Sequence, residues 1–391
     1  MKNNIKKLNT YSKKKNVCFV STHPIQYQVP IYKELNRLKN FNSLVLYTSQ
    51  FNKKMRLWDK ELNKKINWGT ECLANYNYFI LNNKNFLKKI FFIRNFLIKE
   101  KIDYLIISGW NNINYLIVII LSSILKIKLI LRCENNFENS NKLKINIKAF
   151  FLNFFIKKII SFFLAIGVKN KKYYVDIGID KKKIFNAPYF VDNNFFSPKL
   201  LGSKKKNQIK KFYFKNNKIN IIFVGKLISR KGIDIILELT IFLKKKNISN
   251  NYNFIIIGDG VKKNKIIDKF KKANIDFVNF IGHQSQDNLR YFYFLSDYLI
   301  LPSYYETWGL VANESMMMGT PCIVSSNCGC AGDLVKNNQT GIIFKNLKEL
   351  ENLFLNLKTL NGKKKFKKKI LNANKHFNLK NTILAIKKIV K

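Results

Sequence analysis

Arginine is scarce in this chain. Six of its 71 basic residues are arginine (Arg37, Arg56, Arg94, Arg132, Arg230 and Arg290), and the rest are lysine. Arginine is the side chain that forks onto phosphates and base edges, so its shortage argues against a dedicated nucleic-acid binder despite a formal net charge of +48. The lysines are spread along the whole length and accompany abundant Asn, Ile and Phe, the residues of AT-rich codons. Composition bias therefore accounts for most of the charge, and attraction to an anionic membrane surface or a polyanionic acceptor is the second reading. Cysteine occurs at positions 18, 72, 133, 322, 328 and 330 without a CxxC pair, and Cys328-Gly329-Cys330 has no neighbouring histidine. That spacing argues against zinc and against a disulfide framework, leaving thiols in a reducing, cytoplasmic compartment as the expectation. Long apolar runs are missing too. The longest without a charge, 115–125, falls far short of the ~20 residues that cross a bilayer. Residues 145–168 are apolar but interrupted by Lys148, Lys157 and Lys158, and the basic N-terminus has no apolar core of a secretory signal. No transmembrane helix is expected.

What is present is ample for folding. A hydrophobic fraction of 47% with 14% aromatic residues excludes disorder, and 391 residues suit two domains. Strand-length apolar runs fall at 17–21, 44–48, 104–108, 128–132, 164–168, 220–224, 253–257, 278–281, 298–301 and 321–324. Helix-like segments lie between them at 30–39, 86–100, 233–245, 262–272 and 286–296. Unbroken apolar strands alternating with helices predict an α/β fold with parallel sheets covered on both faces. The rhythm breaks at a Pro-, Gly- and Lys-rich stretch. This predicts a first domain over 1–198, a linker over 199–216 and a second domain over 217–375, with a last helix, 376–391, returning to the first. Beyond residue 360 the run NGKKKFKKK reads as a polar loop.

Ligands of open α/β sheets gather where strands end, so the residues after each strand carry the information. After 220–224 comes Gly225-Lys226-Leu227-Ile228-Ser229-Arg230-Lys231-Gly232. Its three cations, bracketed by glycine and placed before a helix, suit an anion; equally, a lysine-rich loop is ordinary in so lysine-rich a chain. The spacing is not that of a Walker A loop. Gly258-Asp259-Gly260 is a tight strand–helix turn. After 298–301 comes LPSYYETWGLVANESMMMGTPCIVSS, where a helix over about 308–318 puts Glu306 at its start and Glu314 roughly two turns beyond Glu306. Carboxylates there could accept from sugar and ribose hydroxyls, with amides of 308–310 binding others; a solvated helix acid is the plainer alternative.

The motifs FVGKLISRKGID, GDG, GHQSQDNLRYFY, LPSYYETWGLVANESMMMGTP and DLVKNNQTGIIF occur in this order, preceded by STHPIQYQVPIYKEL and IGVKNKKYYVDIGID. Over about 17–345 the chain resembles family 4 of the retaining glycosyltransferases, in a subgroup whose first loop reads His-Pro-Ile-Gln-Tyr. The resemblance implies the GT-B fold, two Rossmann-like domains with parallel sheets facing across a cleft. It implies a nucleotide-diphosphate sugar as donor substrate, no cofactor, and a glycan or lipid-linked acceptor of cell-surface polysaccharide or lipopolysaccharide synthesis. Lys226, where the family usually has Arg, and Lys231 would hold the diphosphate with Arg230, beside Gly225, Gly258 and Gly260. His283 would border the base. Glu306 and the amides of Thr307, Trp308, Gly309 and Leu310 would meet the sugar, and Glu314 the ribose. His23 is the candidate catalytic residue of the first domain, with Gln26, Arg132 and Glu134 on the acceptor or sugar side; a histidine common in the 132–135 loop is missing here. The absence of any DxD triplet fits a metal-independent transferase that relies on fixed cations. Its rivals are a nucleotide-sugar 2-epimerase of the same fold and a non-catalytic polyanion- or membrane-surface-binding protein using the apolar and basic segment 86–101, which otherwise reads as an amphipathic helix packed on the sheet.

Overall fold

Short runs of Val, Ile, Leu and Phe become strands here because helices cover both sheet faces, so no strand position has to stay polar. The computed structural model describes residues 14–49, 56–59, 64–67, 73–81, 85–110, 112–134, 158–357 and 362–390. Asn135, Cys72, all of 145–157 and most of 50–67 lie outside them. The chain divides into two compact units, one from the described residues of 1–58, 65–189 and 379–391, the other from those of 59–64 and 190–378.

The first unit runs β1 (Lys15–Ser21), α1 (Val29–Arg37), β2 (Phe41–Tyr47), β3 (Arg56–Asp59), β4 (Lys64–Asn67), β5 (Asn77–Ile80), α2 (Phe86–Lys99), β6 (Tyr104–Ile107), α3 (Ile113–Ile124), β7 (Lys128–Leu131), β8 (Ile160–Ala165), α4 (Val168–Asp176) and β9 (Ile184–Asn186). β3 and β4, whose facing ends Asp59 and Lys64 are assigned to the second unit, pair with each other; the other seven strands form a parallel sheet in the order β5-β2-β1-β6-β7-β8-β9. Alternate residues of the strands, Cys18 and Val20, Leu44 and Leu46, Leu105 and Ile107, Leu129 and Leu131, share one face and are buried against Ile93, Phe96 and Leu97 of α2 and Val118 and Leu121 of α3. Each such side chain contributes about 1.5–3 kcal/mol by leaving water.

The second unit runs α5 (Ser203–Tyr213), β10 (Ile219–Val224), α6 (Ile233–Lys245), β11 (Tyr252–Ile257), α7 (Lys263–Lys272), β12 (Val278–Gly282), α8 (Gln286–Leu295), β13 (Tyr298–Leu301), α9 (Leu310–Met317), β14 (Cys322–Ser325), β15 (Gly341–Phe344), α10 (Leu347–Asn356) and α11 (Gly362–Asn374). Its six strands are parallel in the order β12-β11-β10-β13-β14-β15. The last helix, α12 (Leu379–Ile389), belongs to the first unit, where Thr382 Oγ1 donates to the Pro188 carbonyl at 2.8 Å.

Several sequence expectations need correction. The stretch expected as a linker, 199–216, is mostly α5, and the units divide at 189/190 instead. Its lysines cover the outside while Ile209 is buried and Tyr213 and Phe214 meet the Phe292 ring at 5.4 and 6.0 Å. The run read as a polar loop beyond 360 is α11, because Phe366, Ile370 and Asn374 recur every four residues and are buried among the lysines. Asn374 Nδ2 donates to the Met316 carbonyl at 3.0 Å. The strand expected over 164–168 stops at Ala165, and Val168 opens α4, with Asn170 Oδ1 accepting from Ile166 N at 3.1 Å. Strands β5, β9 and β15 were not expected: β9 has three residues, β5 carries Asn77 and an exposed Tyr78, and β15 opens on a glycine, so none stands out as an unbroken apolar run.

The segment over 86–101 is the amphipathic helix α2. Ile93, Phe96 and Leu97 pack inward, while Phe86, Leu87, Phe91 and Ile98 are exposed, Phe91 by 63%. Among the described residues no helix is long and apolar enough to cross a membrane.

Candidate functional site

The strand order of the second sheet reverses between β10 and β13, and a reversal opens a crevice at the carboxyl ends of the flanking strands. The loops leaving those two strands carry Lys226, Arg230 and Lys231 on one side and Glu306 to Leu310 on the other. Backbone contacts tie them to their neighbours. Gly225 N donates to the Ile257 carbonyl at 3.0 Å, Leu227 N to Asp259 O at 2.9 Å, Gly258 N to Gly282 O at 2.9 Å and Tyr305 N to Arg230 O at 3.4 Å. Two glycines permit this closeness. Gly232 starts α6 at φ +68°, where a Cβ would stand 2.0 Å from the Pro302 carbonyl, and Gly258 has φ +152°, with its Cβ position 1.8 Å from the Gly225 carbonyl.

Lys231 Nζ forms an ion pair with Glu306 Oε2, and both side chains are largely buried. Glu306 is held from below. Its carbonyl accepts from Gly329 N at 2.9 Å, and the Trp308 carbonyl accepts from Cys330 N at 3.0 Å. The Trp308 ring faces the core and donates through Nε1 to Asn313 Oδ1 at 2.7 Å. Gly309, at φ +97°, turns the chain into α9, whose first turn places the Leu310 amide at the sheet's carboxyl edge. Because the helix begins at Leu310 rather than near 308, Glu314 lies just over one turn inside it. Glu314 is only 2% exposed and accepts from the Tyr293 hydroxyl at 2.6 Å.

Lys226, Arg230, Gly258 and Gly260 line the same loops and are half-buried, as is Thr307; His283, after Gly282 at φ +73°, is exposed. Lys262 Nζ donates to Ser229 Oγ in the first of these loops. Neither Lys262 nor Tyr293 was legible beforehand: one lysine among so many carries no signal, and the apolar period of α8 already accounts for a tyrosine.

In the first unit the reversal lies between β1 and β6. Ser21 Oγ donates to the His23 carbonyl at 2.9 Å, and Thr22 Oγ1 lies 2.9 Å from His23 Nδ1. Burial pulls the His23 imidazole below its ordinary range, so it is neutral at pH 7. Tyr32 donates to Gln28 Oε1 at 2.7 Å, and Gln28 Nε2 lies 3.3 Å from Ser108 Oγ at the end of β6. Arg132 follows β7, with its N–H on the Ile107 carbonyl at 2.9 Å, and is buried; Glu134 is exposed and accepts from the Tyr189 hydroxyl, while Gln26 is half-buried. The five described cysteines are buried thiols, and burial pushes those of Cys18, Cys322 and Cys330 far up, so these three stay protonated and inert. Among the described residues no group of three or more His, Cys, Asp or Glu is placed to hold a metal ion.

Residues 204–382, a little under half of the chain, match the family model described as glycosyl transferases group 1. An uncharacterized 41.2 kDa protein in the cps region of Klebsiella pneumoniae is 31% identical over 175 residues, 43% of this chain and 43% of that protein. The chain thus spans under half the length of the curated relatives it matches. Among solved structures, HepE of Anabaena in complex with UDP and glucose superposes with a TM-score of 0.71 at 13% identity, covering 96% of this chain and 99% of the other. The UDP-GlcNAc 2-epimerase of Neisseria meningitidis gives 0.63 at 16% identity, covering 96% and 98%. These likenesses show the fold, two Rossmann-like parallel-sheet units of the GT-B class.

Proposed function

We propose that the chain is a retaining, metal-independent glycosyltransferase that moves a hexosyl or related sugar from a nucleotide-diphosphate sugar to a glycan or lipid-linked acceptor in cell-surface polysaccharide or lipopolysaccharide synthesis. The observation that carries the reading is the buried Lys231–Glu306 pair at the strand-order reversal of the second sheet, within the segment matched by the glycosyl transferase model. The Klebsiella relative's place in a cps region supports the polysaccharide context.

In this reading Lys231 keeps two N–H donors for the donor diphosphate while the third stays on Glu306. Lys226, Arg230 and the amides around Gly225, Gly258 and Gly260 share the diphosphate, and His283 borders the base. The amides of Thr307, Trp308, Gly309 and Leu310 and the Glu306 carboxylate orient the sugar. Glu314, held by the Tyr293 hydroxyl, meets the ribose hydroxyls. As the anomeric C–O bond breaks, its electron pair passes to the diphosphate, whose charge the lysines stabilise in place of a metal. The acceptor hydroxyl bonds to the anomeric carbon from the same face and releases its proton to the departing phosphate oxygen. Neutral His23, with Gln26, Arg132 and Glu134, serves the acceptor or sugar side.

Two measurements test this. UDP and UDP-sugars should raise the melting temperature by mass action. Glu314→Ala and Glu314→Gln should weaken UDP binding by roughly 10–100-fold, since a hydrogen bond to a charged group contributes about 1.5–3 kcal/mol. Unchanged affinity in both variants would remove Glu314 from the donor site. The epimerase reading is favoured only by the Neisseria likeness; release of an epimerised UDP-sugar without any acceptor would establish it.

We place the enzyme at the cytoplasmic face of an anionic membrane. Phe86, Leu87 and Phe91 are exposed on α2 among Lys88, Lys89 and Arg94, and neighbouring α3 exposes Ile113, Leu116, Ile120 and Ile124. Vesicles containing anionic lipid should sediment the protein and neutral vesicles should not, with Phe91→Glu reducing the bound fraction several-fold. Equal sedimentation by both vesicle types would refute an electrostatic, apolar docking face.

A further inference from the structure

Arg132 is buried, and no described residue serves as its counterion. It is 5% exposed, and its Nε and Nη2 have no hydrogen-bond partner among the described residues; no ion pair involving it occurs among them either. The neighbouring carboxylate, Glu134, takes the Tyr189 hydroxyl instead. A buried guanidinium left in this state is costly, and polar groups at such depth are almost always satisfied. The conformation is nevertheless well fixed, because the guanidinium lies over the Tyr189 ring with Cζ 4.8 Å from its centroid.

The identity of the two unpartnered nitrogens is informative. Nε–H and Nη2–H form one edge of the planar guanidinium and point in parallel, which is the geometry that grips two oxygens of a single phosphate or carboxylate. That edge belongs to the residue that follows β7, beside the end of β6, one strand from the reversal of the first sheet, where Ser108, Gln28 and His23 also gather. We infer that Arg132 binds an oxyanion carried by the acceptor, so that the substrate accepting the sugar is an acid, bearing phosphate or carboxylate near the hydroxyl that reacts. The inference rests on the glycosyltransferase reading, in which the first unit takes the acceptor.

The test uses the full-length protein saturated with UDP, which fills the donor site. Inorganic phosphate and acetate are titrated at constant ionic strength, balanced with chloride, while the melting temperature is followed. Wild type should show saturable stabilisation by at least one anion, phosphate or acetate identifying the class. Arg132→Gln should weaken it at least tenfold, and Arg132→Lys, which keeps the charge but loses the fork, should fall between. Arg132→Met without anion should melt no lower than wild type, since it removes an uncompensated buried charge and keeps the stem on Tyr189. Anion stabilisation that is absent in wild type, or equal in Arg132→Gln, overturns the inference. So does an anion effect seen only without UDP, which would assign the edge to the donor, and so does a lower melting temperature of Arg132→Met with no anion effect, which would make the residue structural. A failure of UDP itself to stabilise the wild type would count against the glycosyltransferase reading, and the phosphate and acetate titrations, repeated without nucleotide, would still report on Arg132.

Discussion

Lys231→Ala is expected to lower sugar transfer by a thousandfold or more and to unfold the protein earlier. The first effect follows from the lysine's position. A fixed cation aimed at developing charge contributes about 10²–10³ in rate when it is a single donor in a water-poor site, and Lys231 also fixes the Glu306 carboxylate that would orient the sugar. The second follows from the ion pair. Both side chains are largely buried, so deleting one leaves the other charge uncompensated, which costs about 3–5 kcal/mol. In a unit of this size that lowers the melting temperature by on the order of 10 °C. The two effects separate in the double variant Lys231→Met/Glu306→Gln. Removing both charges should restore most of the stability, because a buried ion pair replaced by neutral groups of similar volume is close to neutral, yet transfer should stay abolished. Recovery of activity with stability would mean that the pair only braces the loop. Wild-type kinetics in Lys231→Ala would remove the donor-site assignment altogether.

The fold was legible where the physics is local. Apolar runs such as 219–224 and 252–257 are buried on both sheet faces, so they stand out as strands whatever surrounds them. Helix α6 lies over the segment expected for it because Gly232 and Lys245 bracket a clean apolar stripe. The errors came where lysine stands in for surface. Residues 203–213 and 362–374 look like solvated loops until Ile209, Phe366 and Ile370 find partners far away in sequence, and tertiary burial then decides the conformation. The site divides in the same way. Lys231 and Glu306 were visible from loop composition, but their pairing joins positions 75 residues apart and no spacing rule predicts it. Tyr293 on Glu314 and Tyr189 on Glu134 are likewise contacts of the folded units, invisible in a chain with 18 tyrosines.

Gly258→Ala should be among the most damaging single-methyl changes in the second unit. The new Cβ would lie 1.8 Å from the Gly225 carbonyl oxygen and 2.9 Å from its carbon, and backbone atoms cannot swing aside as a flexible side chain does. Both partners are also pinned, Gly225 N to the Ile257 carbonyl and Gly258 N to the Gly282 carbonyl. Relieving the clash means breaking at least one of these bonds and abandoning φ +152°, at roughly 1 kcal/mol per bond and about 1–3 kcal/mol for the backbone strain. A loss of about 2–5 kcal/mol in urea denaturation is therefore expected, with UDP binding reduced more than tenfold because the Gly225–Lys231 amides no longer hold their positions. Gly319→Ala supplies the control. Gly319 is also left-handed, at φ +82°, but nothing lies within 4 Å of its Cβ position, so only the conformational cost of about 1–2 kcal/mol remains. If the two variants unfold at the same denaturant concentration, the loops after β10 and β11 are not in contact, and the crevice loses the wall that would place its lysines on a diphosphate.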